Sequence, residues 1–142
     1  MKNFFLSIFL ILGIHTSSQA QVDLQVNPIT LLFGVAQISG EVIVKKNTGI
    51  ELGLLGGDGG FGGTLVGKYY MTPKLGGDRF YIGGFLGAIS EAGAGVGFVG
   101  GFKWLSAQGV NFELALGVGR GTGDIEIFPY GKLAVGYRFQ KK

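Results

Sequence analysis

The feature that most constrains this chain is an alternation of apolar residues with polar or small ones, repeated over many short segments. It is clearest in residues 110–118, where Val110, Phe112, Leu114, Leu116 and Val118 alternate with Asn111, Glu113, Ala115 and Gly117. A period of two residues is the pattern of a β-strand, whereas an amphipathic helix needs a stripe with a period of 3.6 residues. No long segment keeps such a stripe, so the alternation predicts an all-β fold.

The same pattern predicts eight strands. They are residues 24–33, 36–45, 50–55, 64–71, 80–88, 96–105, 110–118 and 132–139, and the links between them are rich in turn-forming residues. Pro28 interrupts the first segment, and residues 121–131 form the longest irregular link. An even number of strands permits a closed, antiparallel, up-and-down barrel, which at about ten residues per strand uses most of the chain.

The first twenty residues have the pattern of a secretory signal peptide. Lys2 precedes an apolar run, residues 4–14, and Ser18-Gln19-Ala20 reads as a cleavage site. As a helix that run reaches only about 16 Å, against about 30 Å for a hydrocarbon core, so a membrane anchor is the weaker alternative. We expect residues 1–20 to be a signal peptide and residues 21–142 to form one barrel domain with a net charge of +2.

Composition removes several kinds of chemistry. The chain has no cysteine, and its one histidine, His15, lies in the predicted signal peptide. The mature protein therefore has no disulfide, thiolate or imidazole. No basic block favours a nucleic-acid partner.

Alternation alone does not say whether the apolar face of a barrel points inward or toward lipid. The opposing faces carry few charges, of both signs, among Gly, Ala and Ser, which is sparser than a solvated surface. A narrow eight-stranded lumen holds such a set, and burial is tolerable only if the charges pair. We expect a lumen charge network of Glu41, Glu51, Glu113, Lys45, Lys68, Lys103, Lys132 and Arg138.

Aromatic residues cluster at strand ends that share one rim. If both termini lie in the periplasm, this is the periplasmic rim, and the pattern is typical of an interfacial aromatic girdle. Its predicted members are Tyr69, Tyr70, Phe80, Tyr81, Trp104, Tyr137 and Phe139.

Two segments match the G-x-G-x-x-G spacing of dinucleotide-binding loops, GVGFVG at residues 95–100 and GDGGFG at residues 57–62. A dinucleotide site also needs a helix directly after the glycines and an acidic residue about 20 positions later. Glu113 has roughly that spacing, but the segment after Gly100 alternates as a strand. The glycines are therefore interpreted as strand residues, and we expect no cofactor.

Other candidate chemistry is sparse. Asp124 and Glu126 form a carboxylate pair in the last link, but two acids in a solvated loop are a weak indication of acid–base catalysis. No cluster has the spacing of a metal site. Arg79, Arg120, Lys141 and Lys142 could contact lipid phosphates at a membrane interface, or they could be ordinary rim charges that set the depth of the barrel. We expect no enzymatic activity.

Residues 26–139 resemble the small outer-membrane β-barrel proteins of Gram-negative bacteria, in particular a Bacteroidetes-type family of uncharacterised function. The matching segments are VNPITLLFG, FYIGGFLGA, GFVGGFKW, NFELALGVGRG and KLAVGYRF. The resemblance implies an eight-stranded transmembrane barrel, inserted by the barrel assembly machinery, which reads an aromatic end of the last strand. Here Gln140, Lys141 and Lys142 follow Phe139, whereas the family pattern places the aromatic last.

The function expected from the sequence is that of a monomeric, non-catalytic outer-membrane barrel with a structural, envelope-stabilising or surface-interaction role. A secreted or periplasmic barrel that carries an apolar ligand, in the manner of a lipocalin, is the alternative. A self-assembling β-fibre is less favoured, because no regular repeat is present.

Overall fold

The chain folds into one closed β-barrel. The computed structural model describes residues 21–57, 60–90, 93–122 and 127–140. The strands are β1 Gln21–Val26, β2 Val35–Lys45, β3 Thr48–Gly57, β4 Gly60–Tyr70, β5 Arg79–Ile89, β6 Gly93–Leu105, β7 Val110–Gly121 and β8 Ile127–Gln140. Each strand pairs with its neighbours in the chain, and β8 pairs antiparallel with β1. The predicted eight-stranded, antiparallel, up-and-down barrel is confirmed.

The register fixes the dimensions of the barrel. A path across paired residues runs from Tyr137 through Leu24, Gly40, Leu52, Leu65, Leu86, Val96 and Arg120 to Ile127, so it returns to β8 shifted by ten residues. With about 3.3 Å per residue and about 4.7 Å between strands, this shift implies a tilt of about 41° and a radius of about 8 Å. Side chains can fill an interior of that size.

The barrel has two ends, which we name by their links. The near rim contains Gln21, where β1 begins, the turn between β2 and β3, residues 71–78 and residues 106–109; the far rim is the opposite end, where β1, β3, β5 and β7 end. Residues 1–20, 141 and 142, and with them the predicted signal peptide, Lys141 and Lys142, lie outside the described residues. Asp124 and Glu126 lie outside them as well.

The prediction of a first strand over residues 24–33 is wrong in its second half. That strand ends at Val26, and Pro28–Leu32 forms a short helix, α1. Asn27 caps it by accepting from the N–H groups of Ile29 and Thr30, and Pro28 occupies the first turn, where a missing N–H costs nothing. Gly34 then turns the chain with a φ of 77°. Local capping therefore overrides the apolar pattern.

The long link predicted over residues 121–131 is also shorter than expected. The last strand begins at Ile127, and Tyr130 and Lys132 of this strand point inward. Pro129 weakened the strand signal there, although proline is tolerated at strand edges.

No helix within the described residues combines the length and apolar character needed to cross a membrane.

The apolar face of the barrel points outward. Phe98 is 80% and Leu116 71% exposed. The paired residues on the path from Tyr137 to Ile127 face outward, and they are apolar apart from Gly40 and Arg120. The interior has a buried charged set and a smaller apolar cluster. In this respect the barrel is the reverse of a water-soluble one, which buries its apolar face.

Candidate functional site: a buried charge network

Every strand except β5 contributes a charged side chain to the interior of the barrel. The buried charged residues of the described strands are Asp23, Glu41, Glu51, Lys68, Lys103, Glu113, Lys132 and Arg138. Four are acidic and four are basic, so the set is neutral at pH 7. Strand alternation places them inside, because each follows and precedes an outward or small residue.

Lys68 is the centre of the network. Its ammonium group donates hydrogen bonds to Glu41 at 2.6 Å, to Glu113 at 2.7 Å and to Glu51. Both Lys68 and Glu113 have fully buried side chains. An ammonium group has three donors, so these three carboxylates use its full capacity.

Two further lysines connect the same carboxylates to the neighbouring strands. Lys103 lies 2.8 Å from Glu41 and 2.7 Å from Asp23. Lys132 lies 2.7 Å from Glu51. Each carboxylate thereby contacts at least two cations, which offsets the desolvation cost that an isolated buried pair would carry.

The carboxylate oxygens of Glu41, Glu51 and Glu113 lie within 4.8 Å of one another, a geometry that can hold a metal ion. Lys68 donates to all three of them, so its ammonium group takes the position that a cation would need. The chemistry that the group supports is ion pairing within the fold.

Arg138 connects the network to the near rim. Its guanidinium donates to both oxygens of Asp23 and to the backbone carbonyls of Gly76 and Gly77. The link of residues 71–78 is therefore held across the near end of the barrel. Asp78 shapes that link by accepting the N–H groups of residues 74–76 at 2.9–3.0 Å.

Several buried polar residues were missed by the sequence prediction. Asp23 and Gln25 alternate with Val22, Leu24 and Val26, a signal that was lost because the first strand was predicted to begin at residue 24. Gln25 donates to Asn111 at 2.7 Å and accepts from Lys132 at 2.7 Å. Among the described residues, Asn111 Nδ2 is the buried side-chain atom without a hydrogen-bond partner.

An apolar cluster fills the interior beside the charges. Its members are Val66, Tyr70, Tyr81, Phe85, Val99, Ala115 and Tyr130. Phe85 and Tyr130, in the far-rim halves of their strands, stack with their ring centroids 5.0 Å apart. Beside this cluster, Lys68, Lys103 and Glu113 are at most 2% exposed.

Inward glycines make room for these large side chains. A Cβ atom at Gly101 would lie 2.7 Å from the Tyr81 ring, and one at Gly49 would collide with the Glu41 carboxylate. The G-x-G-x-x-G match at residues 95–100 lies within β6, with no helix after it. The glycines of this match are therefore strand residues, and Gly101 next to them leaves space for the Tyr81 ring.

The prediction that Lys45 belongs to the lumen charge network is wrong. It is exposed, while the other seven predicted members are buried in the interior. The register shifts between Ile43 and Lys45 at the end of β2, and Ile43 takes the last inward position instead. A bulge of this kind turns the following side chain away from the face that alternation assigns to it.

The prediction that Tyr70 and Tyr81 belong to the aromatic girdle is wrong. Both are fully buried: Tyr70 donates to Glu41 and Tyr81 to Glu113, each at 2.5 Å. Adjacent residues of a strand point to opposite faces, so Tyr69 and Tyr70 cannot both face outward, nor can Phe80 and Tyr81. The other five predicted members lie on the outer face of the near rim: Tyr69, Phe80, Trp104, Tyr137 and Phe139.

Comparisons of the chain with protein-family models, with curated proteins and with solved structures found no match. The distinguishing features of the barrel are a buried ion-pair network of four acidic and four basic side chains and an exterior on which most large side chains are apolar.

Proposed function

We propose that this protein is an outer-membrane β-barrel of the small Gram-negative, Bacteroidetes-type kind, with a structural, envelope-stabilising or surface-interaction role and no catalytic activity. The observation that carries the proposal is the inversion of polarity: among the described residues, the buried charges of the strands lie inside the barrel, and most of the large apolar side chains lie outside. In water such a surface favours aggregation, because soluble monomers rarely expose a large contiguous apolar patch. In a bilayer it is the stable arrangement.

The height of the barrel supports the same proposal. At a tilt of about 41°, each residue advances about 2.5 Å along the barrel axis, so an 11-residue strand such as β4 spans about 27 Å. The apolar band of an outer-membrane barrel is about 25 Å tall. Closure of the sheet also satisfies the backbone hydrogen bonds that lipid cannot satisfy.

The contents of the barrel favour this proposal over an apolar-ligand carrier. A carrier of that kind needs an apolar cavity, whereas Lys68, Glu41 and Glu113 form a salt-bridged centre and Phe85 packs against Tyr130. A plugged lumen leaves the exterior and the rims as the surfaces available for interaction.

Cell fractionation combined with gel mobility tests the proposal. We expect the full chain, produced in a Gram-negative host, to be recovered in the outer-membrane fraction. It should migrate faster when unheated than after boiling, because a closed barrel resists detergent. The buried-charge variant Lys68→Met and the exposed-charge variant Lys45→Met provide a matched pair, of which only the first should lose the unheated band. A soluble periplasmic pool without a mobility shift would favour the carrier instead.

A further inference from the structure

The near rim has an exposed surface of one sign of charge. Its exposed cations are Lys45, Lys46, Lys74 and Arg79, which we name the basic collar. The five acidic residues that the structure describes are all buried: Asp23, Glu41, Glu51, Asp78 and Glu113. No described carboxylate is therefore exposed to neutralise the collar.

The collar is built on links that hold one another in place. Gly77 N–H donates to Lys46 O at 2.8 Å, which joins residues 71–78 to the turn between β2 and β3. Arg138 binds the carbonyls of Gly76 and Gly77 from inside. Lys46 and Lys74 are thus presented by backbone that is anchored to the barrel.

Asp78 is the one acidic residue in these links, and it does not reach the surface charges. Its side chain is 3% exposed, and its Oδ1 accepts three backbone N–H groups. Asp23 is likewise directed inward to Arg138 and Lys103. The positive field at this rim is therefore available to an external partner.

The backbone conformation of Arg79 also supports a role for the collar. It has a φ of 73° and is the one non-glycine residue of the described chain with a positive φ. Such a conformation is unfavourable for a residue with a side chain, and glycine or asparagine would normally occupy it. An exposed arginine at a strained backbone position suggests a functional role for its side chain there.

The collar adjoins the aromatic residues on the outer face of the same rim. Trp104 stacks between Phe102 and Phe112, with centroid distances of 4.4 and 5.5 Å, and Tyr69 accepts a hydrogen bond from Asn47 beside Lys46. Amphipathic aromatic rings lie at the level of lipid headgroups. Cations next to them meet headgroup phosphates, and this continuity favours a lipid partner over a soluble acidic polymer.

We propose that the basic collar binds anionic lipid headgroups of the leaflet that surrounds the near rim, and so fixes the depth of the barrel. This inference rests on the proposed membrane function. Arg120, on the outer face near the far rim between Val96 and Ile127, is a single cation and provides a matched control.

Fluorescence quenching of Trp104 tests the proposal. It is the only tryptophan of the chain and is 50% exposed at this rim. The full chain is refolded into phosphatidylcholine vesicles that contain equal fractions of either brominated phosphatidylglycerol or brominated phosphatidylcholine. We expect stronger quenching by the anionic lipid at low salt. The preference should weaken at high salt and fall by up to about fivefold for each cation removed.

Two sets of variants separate lipid binding from a structural role. Lys45→Gln/Lys46→Gln/Lys74→Gln should remove the preference, and Arg120→Gln should keep it. Arg79→Gly should weaken the preference while leaving the denaturation midpoint unchanged or higher, because it relieves the strained φ. A triple variant with wild-type preference would overturn the proposal.

Insertion is checked first by the heat-dependent mobility of the vesicle-bound chain. A chain that does not insert contradicts the proposed membrane function. A chain that inserts but shows equal quenching by both lipids overturns the collar proposal alone. Binding of soluble polyglutamate to the inserted chain, without a lipid preference, would assign the collar to an acidic polymer and overturn it as well.

Discussion

Asp23 and Arg138 are directly opposed where the first strand meets the last, and their side chains join through two hydrogen bonds, Nε to Oδ1 at 2.5 Å and Nη2 to Oδ2 at 2.8 Å. The residues are separated by 115 positions in the chain. A two-point contact of this kind combines charge with a fixed geometry. The bond therefore locks the closure of the barrel and, through Gly76 and Gly77, also holds the near-rim link.

Asp23→Asn should destabilise the barrel strongly. Removing one partner of a buried ion pair leaves the other charge uncompensated, which costs about 3–5 kcal/mol. Here Lys103 would lose a partner as well. Chemical denaturation of the refolded protein in micelles measures the change. A free energy of unfolding within about 1 kcal/mol of wild type, which is the size of a surface ion pair, would argue against a role in closure.

Lys68→Met should be far more damaging than Lys45→Met, although the chemical change is identical. Lys68 bonds three buried carboxylates, whereas Lys45 is exposed. We expect a loss of about 3–5 kcal/mol for the first and a change within about 0.5 kcal/mol for the second. The double variant Lys68→Met/Glu113→Gln should recover part of the loss, since it removes one of the stranded charges. Equal denaturation midpoints for the two single variants would show that the interior network does not stabilise the fold.

Tyr70→Phe and Tyr69→Phe remove the same hydroxyl group from neighbouring residues, one of which points into the barrel and the other outward. The Tyr70 hydroxyl donates to the buried Glu41 carboxylate at 2.5 Å, and Tyr69 is half-exposed on the outer face. A hydrogen bond to a charged group contributes about 1.5–3 kcal/mol, so only Tyr70→Phe should lower the free energy of unfolding by that amount. A larger loss of unfolding free energy for Tyr69→Phe than for Tyr70→Phe would mean that Tyr69, and not Tyr70, lies inside the barrel.

Gly101→Ala and Gly67→Ala compare inward and outward glycines of the sheet. A Cβ at Gly101 would meet the Tyr81 ring at 2.7 Å and the Leu114 carbonyl at 2.6 Å, whereas one at Gly67 has no heavy atom within 4 Å. Overpacking at Gly101 should cost about 1–3 kcal/mol. Alanine at Gly67 should be neutral or stabilising by up to about 1 kcal/mol. Thermal or chemical denaturation of both variants checks the sign at each position.

Much of the fold was predictable because strand periodicity is a local property. The alternation in residues 110–118 and 132–139 appears directly as β7 and β8, and the number of strands follows from counting such segments. The helix Pro28–Leu32 was not predictable from the apolar pattern, because Asn27 capping and Pro28 compete with it. The inward direction of Tyr70 and Tyr81 was available from alternation, since each follows an outward aromatic residue.

The sequence by itself determined that this chain forms strands with one apolar and one sparsely charged face, because side-chain direction alternates with every residue. It also supplied seven of the eight strand charges that are buried. Only the tertiary structure decided which face points outward and which charges meet. Lys68 and Glu113 become partners because closure with a shift of ten residues brings β4 and β7 side chains together inside a barrel of about 8 Å radius. That register is a property of all eight strands jointly, so no local segment of the sequence encodes it.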